Sequence, residues 1–308
     1  MDILTIVLTV LGLCLFEIIC SIDNAIINAD VLATMGKKAR RWFLLYGIIF
    51  AVFVVRGVLP LIIVWVLNPH FTLLQVFESM GDEEVARSIE STAPILFMGG
   101  GTFLVLLFLH WIFLEEKNIG LRIERQVQKI GVWFYAVASI FLAAVVWYGM
   151  KIDPMLAFAA VVGSTAFFIT HGFKQNAEAQ EAKLLSGTSA MSDISKILYL
   201  EIIDMTFSID GVLGAFAFTL AIPIILLGNG LGAFVVREIT IKGVTQIKKY
   251  VFLKNGAMYS ILVLGAIMMA DGFGIHIPEW LSPICTFLIV GFFFIKSRIY
   301  LKKGEFYV

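Results

Sequence analysis

Charge is what this sequence has least of. Only 15% of its 308 residues are Asp, Glu, Lys or Arg, whereas ordinary soluble domains carry about 25%. The two signs cancel, 23 basic against 23 acidic, so no basic surface points to a nucleic acid. There are three cysteines, Cys14, Cys20 and Cys285. An odd number, all within apolar runs, argues against a disulfide framework. The four histidines, His70, His110, His171 and His276, show no metal-ligand spacing, and His110 reads as interfacial. Met1-Asp2 lacks the positive stretch of a cleaved signal peptide, so the first apolar run is expected to be a mature span.

What is present is apolar length. Hydrophobic residues make up 60% of the chain, and the mean hydropathy is +0.94. The excess comes in blocks long enough to cross a bilayer, which need about 20 residues each. The pattern predicts an all-α polytopic membrane protein with about nine spans: 3–35, 42–67, 94–114, 131–150, 153–170, 196–220, 222–241, 255–271 and 281–297. Basic residues collect on one side of these spans: Lys37, Lys38, Arg40 and Arg41; then Lys117, Arg122, Arg125 and Lys129; then Lys174, Lys183 and Lys196. Lys242, Lys248, Lys249, Lys254, Lys296, Arg298, Lys302 and Lys303 continue the series, while the opposite loops hold only Arg87 and Lys151. By the positive-inside rule the N-terminus is outside and the C-terminus cytoplasmic. The six tryptophans, at 42, 65, 111, 133, 147 and 280, fall near span ends as an aromatic belt would place them. A multi-pass plasma (inner) membrane protein is expected, with lipid as its surroundings and no soluble domain.

Two acidic stretches stand out inside this apolar background: Phe16-Glu17-Ile18-Ile19-Cys20-Ser21-Ile22-Asp23-Asn24 and Glu201-Ile202-Ile203-Asp204-Met205-Thr206-Phe207-Ser208-Ile209-Asp210-Gly211. Aligned on Ser-Ile-Asp, Glu17 falls on Asp204 and Asp23 on Asp210. The likeness extends into the next span, where Gly47 to Arg56 and Gly228 to Arg237 both end Phe-Val-Val-Arg. One copy begins in an odd span and the other in an even one, so the two run in opposite directions, a transporter signature. The division expected is 1–114 as the first repeat, 115–195 as connecting helices and a cytoplasmic loop, 196–272 as the inverted second repeat, and 273–308 as a final helix and tail. The first stretch, 3–35, is too long for one simple span, and Ser21-Ile22-Asp23-Asn24 is its natural break. The acidic run at 68–93 reads as a solvated outer loop and 171–195 as a partly helical cytoplasmic one. Gly99-Gly100-Gly101 lacks the context of a phosphate loop and reads as close helix packing.

Carboxylates at this depth cost roughly 2.5–3.5 kcal/mol each on the insertion scale, so they need a purpose or a partner. Glu17, Asp23, Glu201, Asp204 and Asp210 face only Arg56 and Arg237 within the repeats. If all were ionised the site would stay acidic, which argues for a cation. Six residues along a helix turn through roughly 600°, leaving Glu17 and Asp23 about 120° apart, so one intact helix cannot close both on one ion. Two repeats meeting near the midplane can. With Asn24 helping, the donors are hard oxygens, which suit Mn²⁺, Mg²⁺ or Ca²⁺. The metal is then cargo, and no resident cofactor or enzymatic activity is expected.

At these residues the chain resembles the TerC family of membrane proteins, within the LysE-like exporters. The likeness rests on Glu17-x5-Asp23-Asn24, on Glu201-x2-Asp204-x2-Phe207-x2-Asp210, and on Tyr250-x3-Lys254-x-Gly256. It departs at Gly211, where many relatives have Ser, and at Ile267, where a lysine is more usual. The resemblance implies export of manganese, with tellurite resistance in some members. Other readings keep the fold and change the role: a cationic amino acid or metabolite as cargo, or a non-transporting scaffold in a metal or tellurite stress complex. A homodimer or another membrane-complex partner is left open.

Overall fold

A computed structural model describes residues 2–47, 50–117, 119–185 and 191–302. Ile48, Ile49 and Lys303 of the patterns above lie outside that set. Each expected span is mostly helical over its described residues, and no strand occurs among them. Helix α1 (Ile3–Cys20) is capped by Asp2, whose side chain accepts from the Thr5 amide at 2.9 Å. It is interrupted at Ser21 (φ −92°, ψ 2°) and resumes as α2 (Ile22–Ala33). The Ser21 amide still donates to Glu17 O and the Ala25 amide to Ser21 O, so the chain loosens there without reversing.

The basic helix α3 (Lys37–Trp42) leads into wide π-helical turns at Phe43–Gly47 and Phe50–Val58, then α4 (Leu59–Leu67). Pro60 has no N–H to return to the carbonyl of Arg56, and the wide register ends beside it. π-turns interrupt helices mostly at functional positions, and Arg56 sits on this one.

The 68–93 segment is not the loop that was expected. It forms α5 (Leu73–Phe77), with a Thr72/Gln75 capping box, and the first turns of α6 (Glu83–Leu114), capped by Asp82. At 32 residues α6 is about 48 Å long, longer than the hydrocarbon core, so its charged start projects beyond it. The remaining helices are α7 (Arg122–Lys129), α8 (Phe134–Ile152), α9 (Pro154–Leu185), α10 (Asp193–Ala215), α11 (Ile222–Glu238), α12 (Val244–Ile247), α13 (Leu253–Gly272) and α14 (Leu281–Lys302). Seven helices are long and apolar enough to cross a membrane. The two expected spans outside that set are the π/α stretch 43–67, whose apolar α-helical part is short, and α10, which carries the second acidic motif.

The centre is a close contact of glycine faces. A Cβ on Gly163 of α9 would overlap the carbonyl of Gly99, and one on Gly101 would lie 2.9 Å from the carbonyl of Gly265 in α13. The glycine triplet therefore packs helices, as its sequence suggested. Gly101 faces Gly265 while Gly272 faces Pro94 and Met98, so α6 and α13 are antiparallel. Without a hydrophobic force between helices in lipid, such close approach supplies the attraction. The lipid-facing side is apolar, with Ile140 and Trp147 of α8 and Leu288 and Phe292 of α14 largely exposed.

A cavity of about 580 Å³ marks one end of the bundle. Its walls come from the starts of α1 and α6 (Ile6, Glu90) and from the segments after α10 and α13 (Phe218, His276). Thus α10 runs opposite to α1. Residues 37–67 also run from end to end: Gly36 is held by Asp193 at the start of α10, whereas Asn68 bonds to Thr92 in the first half of α6.

Candidate functional site

The interruption at Ser21 places the two acids of the first copy on different partners. Glu17, on the last turn of α1, is 1% exposed. It pairs with Arg56 at 2.8 Å and accepts from Ser21 Oγ at 2.5 Å, while Arg56 also donates to Ser21 Oγ at 3.1 Å. Its aliphatic stem lies against Gly232 of α11, where a Cβ would come within 2.6 Å. Asp23, on the first turn of α2, faces elsewhere, as the helical angle requires. It meets Lys254 Nζ at 2.9 Å, and the same ammonium pairs with Glu115. Lys254 stands on the first turn of α13 and Glu115 just past the end of α6.

The second copy is held differently. Asp204 is 5% exposed and accepts from the side-chain amides of Asn24 and, at 3.1 Å, Asn28. Arg56 lies within electrostatic reach of it as well, so one guanidinium stands between the first acids of both copies. Asp210 pairs with Lys174 of α9 at 2.5 Å. Ser208 turns away and donates to the backbone carbonyl of Asp204. Glu201 shares a face with Asp204 but sits against Gly47, and neither of its carboxylate oxygens has a hydrogen-bond partner. Arg237 is half-buried, its Nε has no partner, and it makes no ion pair among the described residues.

Of the residues singled out from sequence, Glu17, Asn24, Asp204 and Arg56 come together, with Asp210 alongside. Asp23 stands apart on Lys254, and Arg237 joins no carboxylate. No three His, Cys, Asp or Glu among the described residues converge closely enough to hold a metal by themselves. The oxygens without partners are nonetheless acceptors: both of Glu201, Oδ1 of Asp210, and Oδ1 of Asn24 and Asn28. Buried acceptors of this kind normally find a donor or an ion. His110 lies between Phe134, Phe167 and His171, its ring 3.8 Å from that of His171.

Three contributors are not singled out by the sequence, Asn28, Glu115 and Lys174, and Lys254 is singled out there only within the Tyr250-x3-Lys254-x-Gly256 motif. Asn28 lies one helical turn after Asn24, a visible signal. Nothing local in the sequence marks either lysine as the partner of an aspartate. The 580 Å³ cavity does not reach the acids. Phe218 of its wall packs on Phe16, the residue before Glu17, with ring centroids 5.7 Å apart.

Residues 22–303 match the family described as Protein of unknown function (DUF475). No curated protein and no solved structure matches the chain. With most of its length matched, the chain belongs to the DUF475 family, and its apolar helices make it a polytopic membrane protein.

Proposed function

We propose that this DUF475-family protein is a transporter that exports a hard divalent metal ion, Mn²⁺ foremost, across the plasma membrane in exchange for protons. The observation that carries the reading is the set of partnerless oxygens on Glu201, Asp210, Asn24 and Asn28, beside the carboxylates of Glu17 and Asp204. These are acceptors with no donor of their own, and oxygen-only sets favour hard cations. In this reading Glu17, Asp23, Asp204 and Asp210 take up the ion, Glu201 and Asn24 assist, and the cations now on those acids let go. Protonation of the acids from outside then releases the ion and resets the carrier.

The reading includes nine crossings, an outside N-terminus, a cytoplasmic C-terminus and two inverted repeats. The residues after each Ser-Ile-Asp support the repeats. Asn24 reaches across to Asp204, and Gly211 faces Glu17 Oε2, where a Cβ would lie 3.1 Å away. Gly228 packs on Leu13 of the other copy, and Gly47 packs on Glu201. The third helices of the two repeats, α6 and α13, pack antiparallel at the centre, as an axis in the membrane plane would place them. The TerC resemblance supports the cargo. To test it, cellular metal content is measured by mass spectrometry in cells expressing the wild type or Asp23→Asn/Asp210→Asn. The wild type is expected to lower manganese and the variant to leave it unchanged. Equal metal content in both would sink the proposal.

One observation favours a second cargo. Lysine ammonium groups already sit on Asp23 and Asp210, so these carboxylates are shaped to receive an ammonium. Efflux of radiolabelled lysine without dependence on any metal would move the assignment to a cationic amino acid.

A further inference from the structure

The final acids of the two motifs share a feature that the first acids lack: each carries a lysine from a helix outside its own motif. The Lys174–Asp210 pair is nearly closed to solvent, with side chains 12% and 10% exposed. The Lys254–Asp23 pair is open, with side chains 35% and 39% exposed. Lys254 also has a second carboxylate within reach, Glu115, whose side chain is 38% exposed. The base of this lysine is fixed. The neighbouring Asn255 donates to Glu124 Oε2 at 2.7 Å, and Glu124 itself is wholly buried. Only the flexible side chain can move, and because the ammonium already pairs with Glu115 as well, releasing Asp23 leaves it still paired.

A primary ammonium is a compact point charge that accepts any suitably placed oxygen. On Asp23 it occupies the position that a cargo cation would take. We propose that Lys254 is an intramolecular competitor of the transported cation, bridging Asp23 and Glu115 when no cargo is bound and keeping only Glu115 when a cation takes Asp23. The inference rests on the cation-transport reading and adds an affinity-setting residue to it. Such a competitor loosens the site's hold on a divalent ion and so adds to the release that protonation brings. With it, each binding event costs one ion pair, and each release restores it.

The test is Mn²⁺ binding to the whole chain in lipid nanodiscs, followed by the loss of the free-ion electron paramagnetic resonance signal. Lys254→Met is expected to bind about three- to tenfold more tightly than the wild type, as removal of a partly exposed ion-pair rival implies. Glu115→Gln removes the alternative seat, keeps the ammonium on Asp23, and is expected to weaken binding by a similar factor. The double variant is expected to match Lys254→Met. A lysine with only a structural role would give the opposite sign, since its loss would loosen the site. Lys254→Gln serves as a second variant, with helix content and monodispersity checked for each. Wild-type binding with no gain in either folded Lys254 variant overturns the competitor and leaves the transport reading standing. No binding of Mn²⁺ by the wild type or any variant overturns both.

Discussion

The two copies of the acidic motif share their spacing and differ in how their first acid is compensated. In the first copy Glu17 is buried against a guanidinium, 2.8 Å from Arg56. In the second, Asp204 is buried against two amides, from Asn24 and Asn28, while the matching arginine, Arg237, makes no ion pair among the described residues. The sequence is symmetric here and the structure is not. In the transport reading proposed above, such asymmetry is what two copies that exchange roles between states would require.

The largest expected effect separates the two arginines. Arg56→Met leaves Glu17 buried without its counter-charge, which costs about 3–5 kcal/mol. Arg237→Met removes a side chain with no ion pair, and its cost is expected to stay under about 1 kcal/mol. Reversible unfolding of the purified protein in mixed micelles measures both. Adding Glu17→Gln to Arg56→Met is expected to recover most of the loss, since the pair is then removed together. Equal losses from the two arginine variants would erase the proposed difference between the copies.

A smaller effect tests the packing beneath that difference. Four residues after the repeat's leading glycine, the first copy has Ala51 and the second Gly232. In the second copy a Cβ would meet the carbonyl oxygen of Cys14 at 2.8 Å and Glu17 Cβ at 2.6 Å. The carbonyl belongs to α1 backbone and cannot step aside. Gly232→Ala is therefore expected to cost about 1–3 kcal/mol in the same unfolding measurement, although its counterpart is naturally alanine. A neutral Gly232→Ala would mean that α1 and α11 approach less closely than described.

Much of this was legible in the chain. The all-helical, membrane-spanning character was readable because apolar blocks of bilayer length are a strong signal, and seven of the nine expected spans became helices long and apolar enough to cross a membrane among the described residues. The interruption at Ser21 was readable from polar residues inside an apolar run. The start of α6 was also readable and was missed. Asp82 followed by Glu83-Glu84 is a helix-start signal, and Thr72-x-x-Gln75 is a capping box. Both were absorbed into a loop because the segment is acidic. The π-helical turns around Arg56 left no local trace. Neither did the pairing of Lys254 with Asp23 across 231 positions, because it depends on how α2, α6 and α13 pack, and no window of sequence contains all three.

The smallest expected effect probes the residue that follows each Ser-Ile-Asp. Asn24 in the first copy and Gly211 in the second occupy matching positions, and each faces the other copy's first acid. Asn24 gives Asp204 an amide, whereas Gly211 gives Glu17 only room, with Oε2 3.1 Å from where a Cβ would stand. Room suffices because Arg56 already supplies the charge. Gly211→Asn in the wild-type background is therefore expected to crowd Glu17 slightly and gain nothing. In the Arg56→Met background the same substitution offers Glu17 the kind of donor that Asp204 enjoys, and it is expected to recover about 1 kcal/mol of the stability lost. A recovery confined to the Arg56→Met background would show that amide and guanidinium are interchangeable answers to one buried carboxylate. Recovery in neither background would mean that Gly211 faces Glu17 only to let the helices approach.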